Sequence, residues 1–220
     1  GVSAIAYNES IYNAVEQDVA LTTRDITNLT ATPDAPEDLS GSEFLYQEGQ
    51  TVHTGFDLSW THNRANVNDF LVQYKIDDDN FTTLDSTSPS LTLRALRAGT
   101  LTVEVLARNY LGKQSSLTKA TFELVGKTAP PGDVQNLSVE AISANSARLR
   151  WDQTVDLDVK VNGLVHVKHS SLTDGSATWP NSVDLITAVA GNSTEAIVPL
   201  VAGEILVKFE DDLGNKSANA

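Results

Sequence analysis

The stretch Leu93-Arg94-Ala95-Leu96-Arg97-Ala98-Gly99-Thr100-Leu101-Thr102-Val103-Glu104-Val105-Leu106-Ala107-Arg108-Asn109 decides the fold. Leu101, Val103, Val105 and Ala107 recur at every second position, the spacing of a strand with one buried face. Gly99 and Gly112 mark turns on either side. Upstream, Leu91 and Leu93 supply a strand, as do Phe70, Val72 and Tyr74, and Phe56, Leu58 and Trp60. Downstream, Ala120, Phe122 and Leu124 supply the last. Gly49 and Asp77 to Asn80 mark further turns.

The same grammar is written twice. One block runs from Pro36 through Trp60 to Asn109 and Gly112, the other from Pro131 through Trp151 to Asp212, Gly214, Asn215 and Ser217. In the second, Val134, Leu137 and Val139 lead into Ala147, Leu149 and Trp151, then Val159 and Val161, Val165 and Val167, and Ile205, Val207 and Phe209. Asn162-Gly163 fits a hairpin turn inside what is otherwise one Val-alternating strand, and the pattern leaves both readings open. Repetition at this period predicts an all-β chain of two tandem β-sandwiches, over residues 32–126 and 127–220. Thr128-Ala129-Pro130-Pro131 between them favours an extended, swing-limiting linker.

Residues 1–31 fit neither block. Ile11, Val15 and Val19 have a helical spacing behind Asn8 and Ser10, and Thr22 to Pro33 is rich in Thr, Asp and Asn, so this part is expected to be the end of a preceding domain plus a connector. With no methionine in 220 residues, an internal fragment of a longer protein is expected. Gly112 is followed by Leu117 to Leu124, a full closing strand, and Gly214 only by Asn215 to Ala220. The last strand of the second sandwich is therefore expected to be truncated.

A net charge of −14, with no basic run to track a phosphate backbone, argues against nucleic-acid binding. No apolar run approaches the roughly 20 residues of a membrane span. The chain has no cysteine, which leaves its redox compartment open.

Leu93-x-x-Leu-x-x-Gly-Thr100 followed by Val103-x-Val-x-Ala-x-Asn109, with Trp60 and an aromatic on the next strand, resembles a fibronectin type III domain. Leu101 and Ile205 stand where such domains usually place a corner tyrosine. A narrower resemblance lies in Tyr7-Asn-Glu-Ser-Ile-Tyr12, Val15-Glu16, Leu21 and Arg24-Asp25-Ile26. It continues in His169-Ser170-Ser171, Gly175, Ala177-Thr178-Trp179, Ala190-Gly191, Val198-Pro199-Leu200, Gly203, Val207-Lys208, Asp212, Gly214-Asn215 and Ser217. Together these are similar to the fibronectin region of the host-specificity protein J family of lambda-like tailed phages. The resemblance implies a structural, adhesive component of the virion tail tip, made in the bacterial cytoplasm. In the intact virion the protein would be a homotrimer in contact with other tail-tip proteins, with a host surface receptor or glycan as the further candidate partner, the receptor-contacting part in this family lying further toward the C-terminus than these residues. The alternative is a pair of spacer modules from a secreted bacterial polysaccharide-degrading enzyme.

No nucleophile elbow, phosphate loop or cysteine nucleophile occurs, so no catalytic residue and no cofactor site are expected. His166 and His169 are three apart on a strand and face opposite sides, which argues against a shared metal. Asp77, Asp78, Asp79 and Asn80 place hard oxygen ligands in one turn. They lack the glycine and distal glutamate of an EF-hand loop, so a solvated turn is expected, with weak calcium binding as the alternative. Trp60 and Trp151 are in phase with inward faces. Trp179, beside Gly175, Ser176 and Pro180, is expected to pack as a lid, with contact to a partner or a sugar as the alternative. The Asn-x-Ser/Thr sequons are read as compositional, Asn136 falling inside a predicted strand.

Overall fold

The computed structural model describes residues 30–63 and 66–220; the helix expected at Ile11, Val15 and Val19 lies outside the described residues. Alternation sets the strands. In β2 (Thr51–Thr61), Phe56, Leu58 and Trp60 are buried while Asp57 and Ser59 face water. In β6 (Gly99–Arg108), Leu101, Val103, Val105 and Ala107 are fully buried. One three-stranded sheet orders β1 (Glu37–Glu48), β2 and β5 (Ser90–Leu96). Its partner orders β4 (Thr82–Ser86), β3 (Asp69–Ile76), β6 and β7 (Thr118–Leu124). All pairings are antiparallel. This strand order is that of a fibronectin type III sandwich.

Between the sheets, Trp60 meets Phe70 edge-on at 5.2 Å between ring centroids, and Phe56 packs on Phe122 at 4.8 Å. Across β1 and β2 the outer face is closed by Phe44, whose ring lies over Gly55. A Cβ on Gly55 would come within 2.5 Å of that ring. An aromatic covering a strand glycine in this way helps to pin the register.

The second sandwich repeats the plan. One sheet orders β8 (Ser138–Ala141), β9 (Ser146–Arg150) and β13 (Glu195–Pro199). In the other, β10 (Leu164–Ser170) pairs with β14 (Glu204–Glu210) on one edge, and on the other edge with two short strands, β11 (Val183–Asp184) and β12 (Val189–Ala190). Leu149, Trp151, Val165, Val167, Val198, Val207 and Phe209 form its core.

Two sequence expectations change here. Val159 and Val161 are not on a strand. Leu157–Lys160 forms a single helical turn, α1, and Asn162 then takes a left-handed φ of 70° before β10 begins. The glycines explain the turn. Gly163 and Gly191 lie so close to the Val159 backbone that a Cβ on either would sit at 2.5 or 2.0 Å from the Val159 carbonyl oxygen. The alternating valines therefore serve two elements: Val159 enters the core from α1, and Val165 and Val167 enter it from β10. Asn136, read as a strand residue, instead precedes β8 at a φ of 53°, with its amide donating to Asp152 Oδ2 at 2.7 Å.

Candidate functional sites and the interdomain joint

The Asp77 to Asn80 turn joins β3 to β4, with Asp77 itself in a left-handed conformation. Asp77 Oδ1 accepts the Thr100 amide at 2.8 Å, and Asp77 N–H donates to the Thr100 carbonyl at 2.9 Å. Arg97 then reaches across. Its Nη1 meets Asp77 Oδ2 at 2.6 Å, and its Nη2 meets Asp79 Oδ2 at 3.0 Å and the Ile76 carbonyl at 3.2 Å. The Thr100 amide and the guanidinium hold the Asp77 carboxyl below its usual range. A fixed organic cation thus binds the two carboxylates that the turn brings together, while Asp78 and Asn80 are exposed. Among the described residues, no group of three or more His, Cys, Asp or Glu side chains is placed to hold a metal ion.

Trp179 opens a 3-10 turn, Trp179–Asn181, and is half-buried. With Val167, Val207 and Phe209 inward, alternation turns Lys168 and Lys208 to the outer face of β10 and β14. Their ammonium groups stand 4.9 and 5.5 Å from the centre of the indole ring. Lys168 also donates to the Trp179 and Ser182 carbonyls at 3.4 Å, and Lys208 to the Ser217 and Ala218 carbonyls at 2.8 Å. Two ammonium groups from the outer face of the sheet thus lie within cation–π range of the one indole. His166 and His169 have separate neighbours: His166 Nε2 lies 2.8 Å from Glu210 Oε2, and His169 Nε2 lies 2.9 Å from the Ala202 carbonyl.

The joint between the sandwiches holds contacts that sequence reasoning missed. Glu43 of β1 accepts the amides of Val125 at 3.0 Å and Gly126 at 2.5 Å, tying the end of β7 back to the first sheet. A 3-10 turn, Gly126–Thr128, follows. Lys127 then pairs with Asp212 of the second sandwich at 2.5 Å, the two side chains only 18% and 10% exposed. Asn215 Nδ2 donates to the Lys127 carbonyl at 3.4 Å, and Asn162 Nδ2 to the Gln50 carbonyl at 2.7 Å. A cavity of about 230 Å³ at this seam is lined in part by Val52, Thr54, Leu96, Ala98, Lys127 and Leu213. Nothing local in the sequence marks Lys127 and Asp212, 85 positions apart, as partners.

Asp158 on α1 is 5% exposed, and burial raises its carboxyl pKa. The charges of Asp211, Asp156 and Asp212 push it the same way.

No protein-family model and no curated protein matches the chain. Among solved structures it is similar to a two-domain fibronectin type III segment of chicken tenascin, at 19% identity over 85% of this chain and 97% of that one, with a TM-score of 0.39. It is also similar to the FN1–FN3 domains of chicken CNTN1, at 11% identity over 86% of this chain and 64% of that one, with a TM-score of 0.37. No helix among the described residues is long and apolar enough to cross a membrane.

Proposed function

We propose that these two sandwiches are non-catalytic structural modules of a phage tail-tip host-specificity protein, where they act as a stiff spacer that supports attachment to the host. The observation that carries the spacer role is the joint. A pairing of Lys127 with Asp212 that is mostly shielded from water, together with two side-chain-to-backbone bonds, ties the linker and the first sandwich to the second. Such a joint transmits position, and no reaction chemistry is needed for it. The tail-tip setting is supported by the ordered matches from Tyr7 to Ile26 and from His169 to Ser217. In that setting the modules belong to a homotrimer and contact other tail-tip proteins, with Trp179 as a contact held in place by Lys168 and Lys208.

The test is immunogold labelling of purified phage particles with antibody raised against the second sandwich. Label confined to the tail tip supports the assignment. Unlabelled particles, with the antigen instead in secreted polysaccharide-degrading enzyme, would replace it with the spacer-of-an-enzyme reading.

A further inference from the structure

The outer face of the sheet formed by β1, β2 and β5 differs from the other outer faces of the molecule. On the face of β8, β9 and β13, Arg150 reaches Glu140 and Glu195, both at 3.5 Å. On the partner sheet of the first sandwich, Arg108 binds Asp69 and Asp85, and Lys119 meets Glu104 at 3.3 Å. On β10 and β14, His166 meets Glu210. Among the described residues, no ion pair lies across β1, β2 and β5.

Hydroxyls and a single carboxylate occupy one half of this face. Pairing sets Ser40 opposite Ser59 and Ser42 opposite Asp57 across β1 and β2, then Asp57 opposite Thr92 and Ser59 opposite Ser90 across β2 and β5. With Phe56 and Leu58 buried beneath, alternation turns all six outward. They line part of a groove of about 540 Å³. Thr92 Oγ1 donates to Asp57 Oδ1 at 2.6 Å, and the Ser40 and Ser59 hydroxyls meet at 3.2 Å. Asp57 Oδ2 and the hydroxyls of Ser42 and Ser90 have no protein partner among the described residues.

The other half is aromatic. Phe44, over Gly55, stands 5.9 Å from Tyr46 between ring centroids, and Tyr46 stands 5.7 Å from His53. Two contacts fix Tyr46: its hydroxyl accepts the Ala95 amide at 3.1 Å, and the Arg94 guanidinium lies 4.7 Å over its ring. The register shift in β5 sets both Arg94 and Ala95 against Gly55, and Ala95 takes a left-handed φ of 55°. A bulge of this kind re-aims side chains, and strained non-glycine backbone collects at ligand sites. From Ser40 to Tyr46 the two halves run about 20 Å along β1.

We propose that this face is a binding site for a neutral oligosaccharide. A sugar ring presents apolar C–H faces and a rim of hydroxyls, which match an aromatic step beside free acceptors and donors. Asp57 accepts two sugar hydroxyls at most through its free oxygen, and Ser42 and Ser90 donate or accept as the ring requires. Asp57 and Arg94 carry opposite charges near the centre of the face, so it favours neither a phosphate backbone nor an anionic lipid surface. The site lies on the first sandwich, apart from Trp179, and does not depend on the modules belonging to a tail tip.

The 220-residue protein is screened on a printed array of neutral oligosaccharides of the gluco, manno, galacto and N-acetylhexosamine series, with hexuronate oligomers as the acidic arm. The tightest member is then titrated by NMR. A neutral oligosaccharide is expected to bind and to shift the amides of Ser42, Gly55, Asp57 and Thr92, while those of the second sandwich stay in place. Asp57→Asn should weaken binding about 10-fold or more, because a charged acceptor is lost. Ser90→Gln changes an exposed strand position and fills the groove, so it should weaken binding similarly with the unfolding temperature unchanged. Trp179→Phe should leave the affinity as it was. The assignment is overturned if no neutral member binds, if hexuronates alone bind, if the shifts centre on Trp179, or if neither groove variant changes the affinity.

Discussion

Asn109 and Asp211 close the same turn in the two sandwiches with the same atom. Asn109 Oδ1 accepts the amides of Leu111 and Lys113, and Asp211 Oδ1 accepts those of Leu213 and Asn215, all four at 2.9 Å. Their second atoms differ in sign. Asn109 Nδ2 donates to the Ala31 carbonyl at 2.9 Å, holding the segment that enters the first sandwich. A carboxylate cannot donate. In the second sandwich Asp211 Oδ2 instead accepts Asn215 Nδ2 at 2.8 Å, and Asn215 donates onward to the incoming Lys127 carbonyl. Each module therefore grips the chain arriving at its top through this turn.

Asn109→Asp keeps the turn's acceptor but sets a carboxylate oxygen against the Ala31 carbonyl. The first sandwich is expected to lose about 1–3 kcal/mol, the cost of a buried polar group left without its partner. The second should be unaffected. Thermal unfolding with the two transitions resolved measures this, and equal loss in both would show that the grip is not local.

The two core tryptophans are alike in burial, 4% exposed each, and unlike in bonding. Trp151 Nε1 donates to the Ser193 carbonyl at 2.9 Å, whereas Trp60 Nε1 has no partner among the described residues. Both replacements by phenylalanine remove volume, but only Trp151→Phe strands a carbonyl. Trp151→Phe is expected to cost about 1 kcal/mol more than Trp60→Phe in urea unfolding. The reverse order would mean that the Trp60 indole N–H is satisfied after all.

Asp158 in the second sandwich and Asp69 in the first should contribute to acid stability with opposite signs. Asp158 has a raised folded-state pKa, so its contribution is fully present below the ordinary aspartate pKa of about 3.9 and is lost as pH rises through the raised value. Relative to an Asp158→Asn variant, the second sandwich should gain stability as pH falls from neutral toward 4. Asp69 has a lowered pKa because Arg108 binds it at 2.7 and 2.8 Å. Its contribution is present above about 3.9 and is lost as pH falls through the depressed value, so the first sandwich should weaken below pH 4 relative to Asp69→Asn. Melting curves from pH 3 to pH 7 decide both signs.

With Arg97 bridging Asp77 and Asp79, millimolar calcium should leave the first transition where magnesium leaves it. A saturable rise with calcium alone would restore the metal reading of the turn.

Much of this architecture is legible in the sequence because alternation and turn glycines are local signals. Leu101 to Ala107 and Phe56 to Trp60 announce their strands without help from the rest of the chain. Val159 to Val167 misleads because a one-turn helix and a strand can both place valine inward. What separates them is the backbone approach at Gly163 and Gly191, a contact that exists only after folding. Trp179 is legible as an unusual aromatic, while its two lysine neighbours come from different strands and meet it only across the sheet. Arg97 on the acidic turn and Lys127 on Asp212 are long-range charge pairings of the same kind, which no spacing rule reports.

That the two sandwiches act as one stiff spacer rests on Lys127 and Asp212. Residual dipolar couplings collected separately for β1–β7 and β8–β14 test it most directly. In the intact protein both sets are expected to fit one alignment tensor. In Lys127→Ala, which leaves Asp212 mostly buried and unpaired, they should fit two tensors of unequal magnitude. If the unmutated protein already requires two tensors, the sandwiches tumble independently and the joint does not stiffen them.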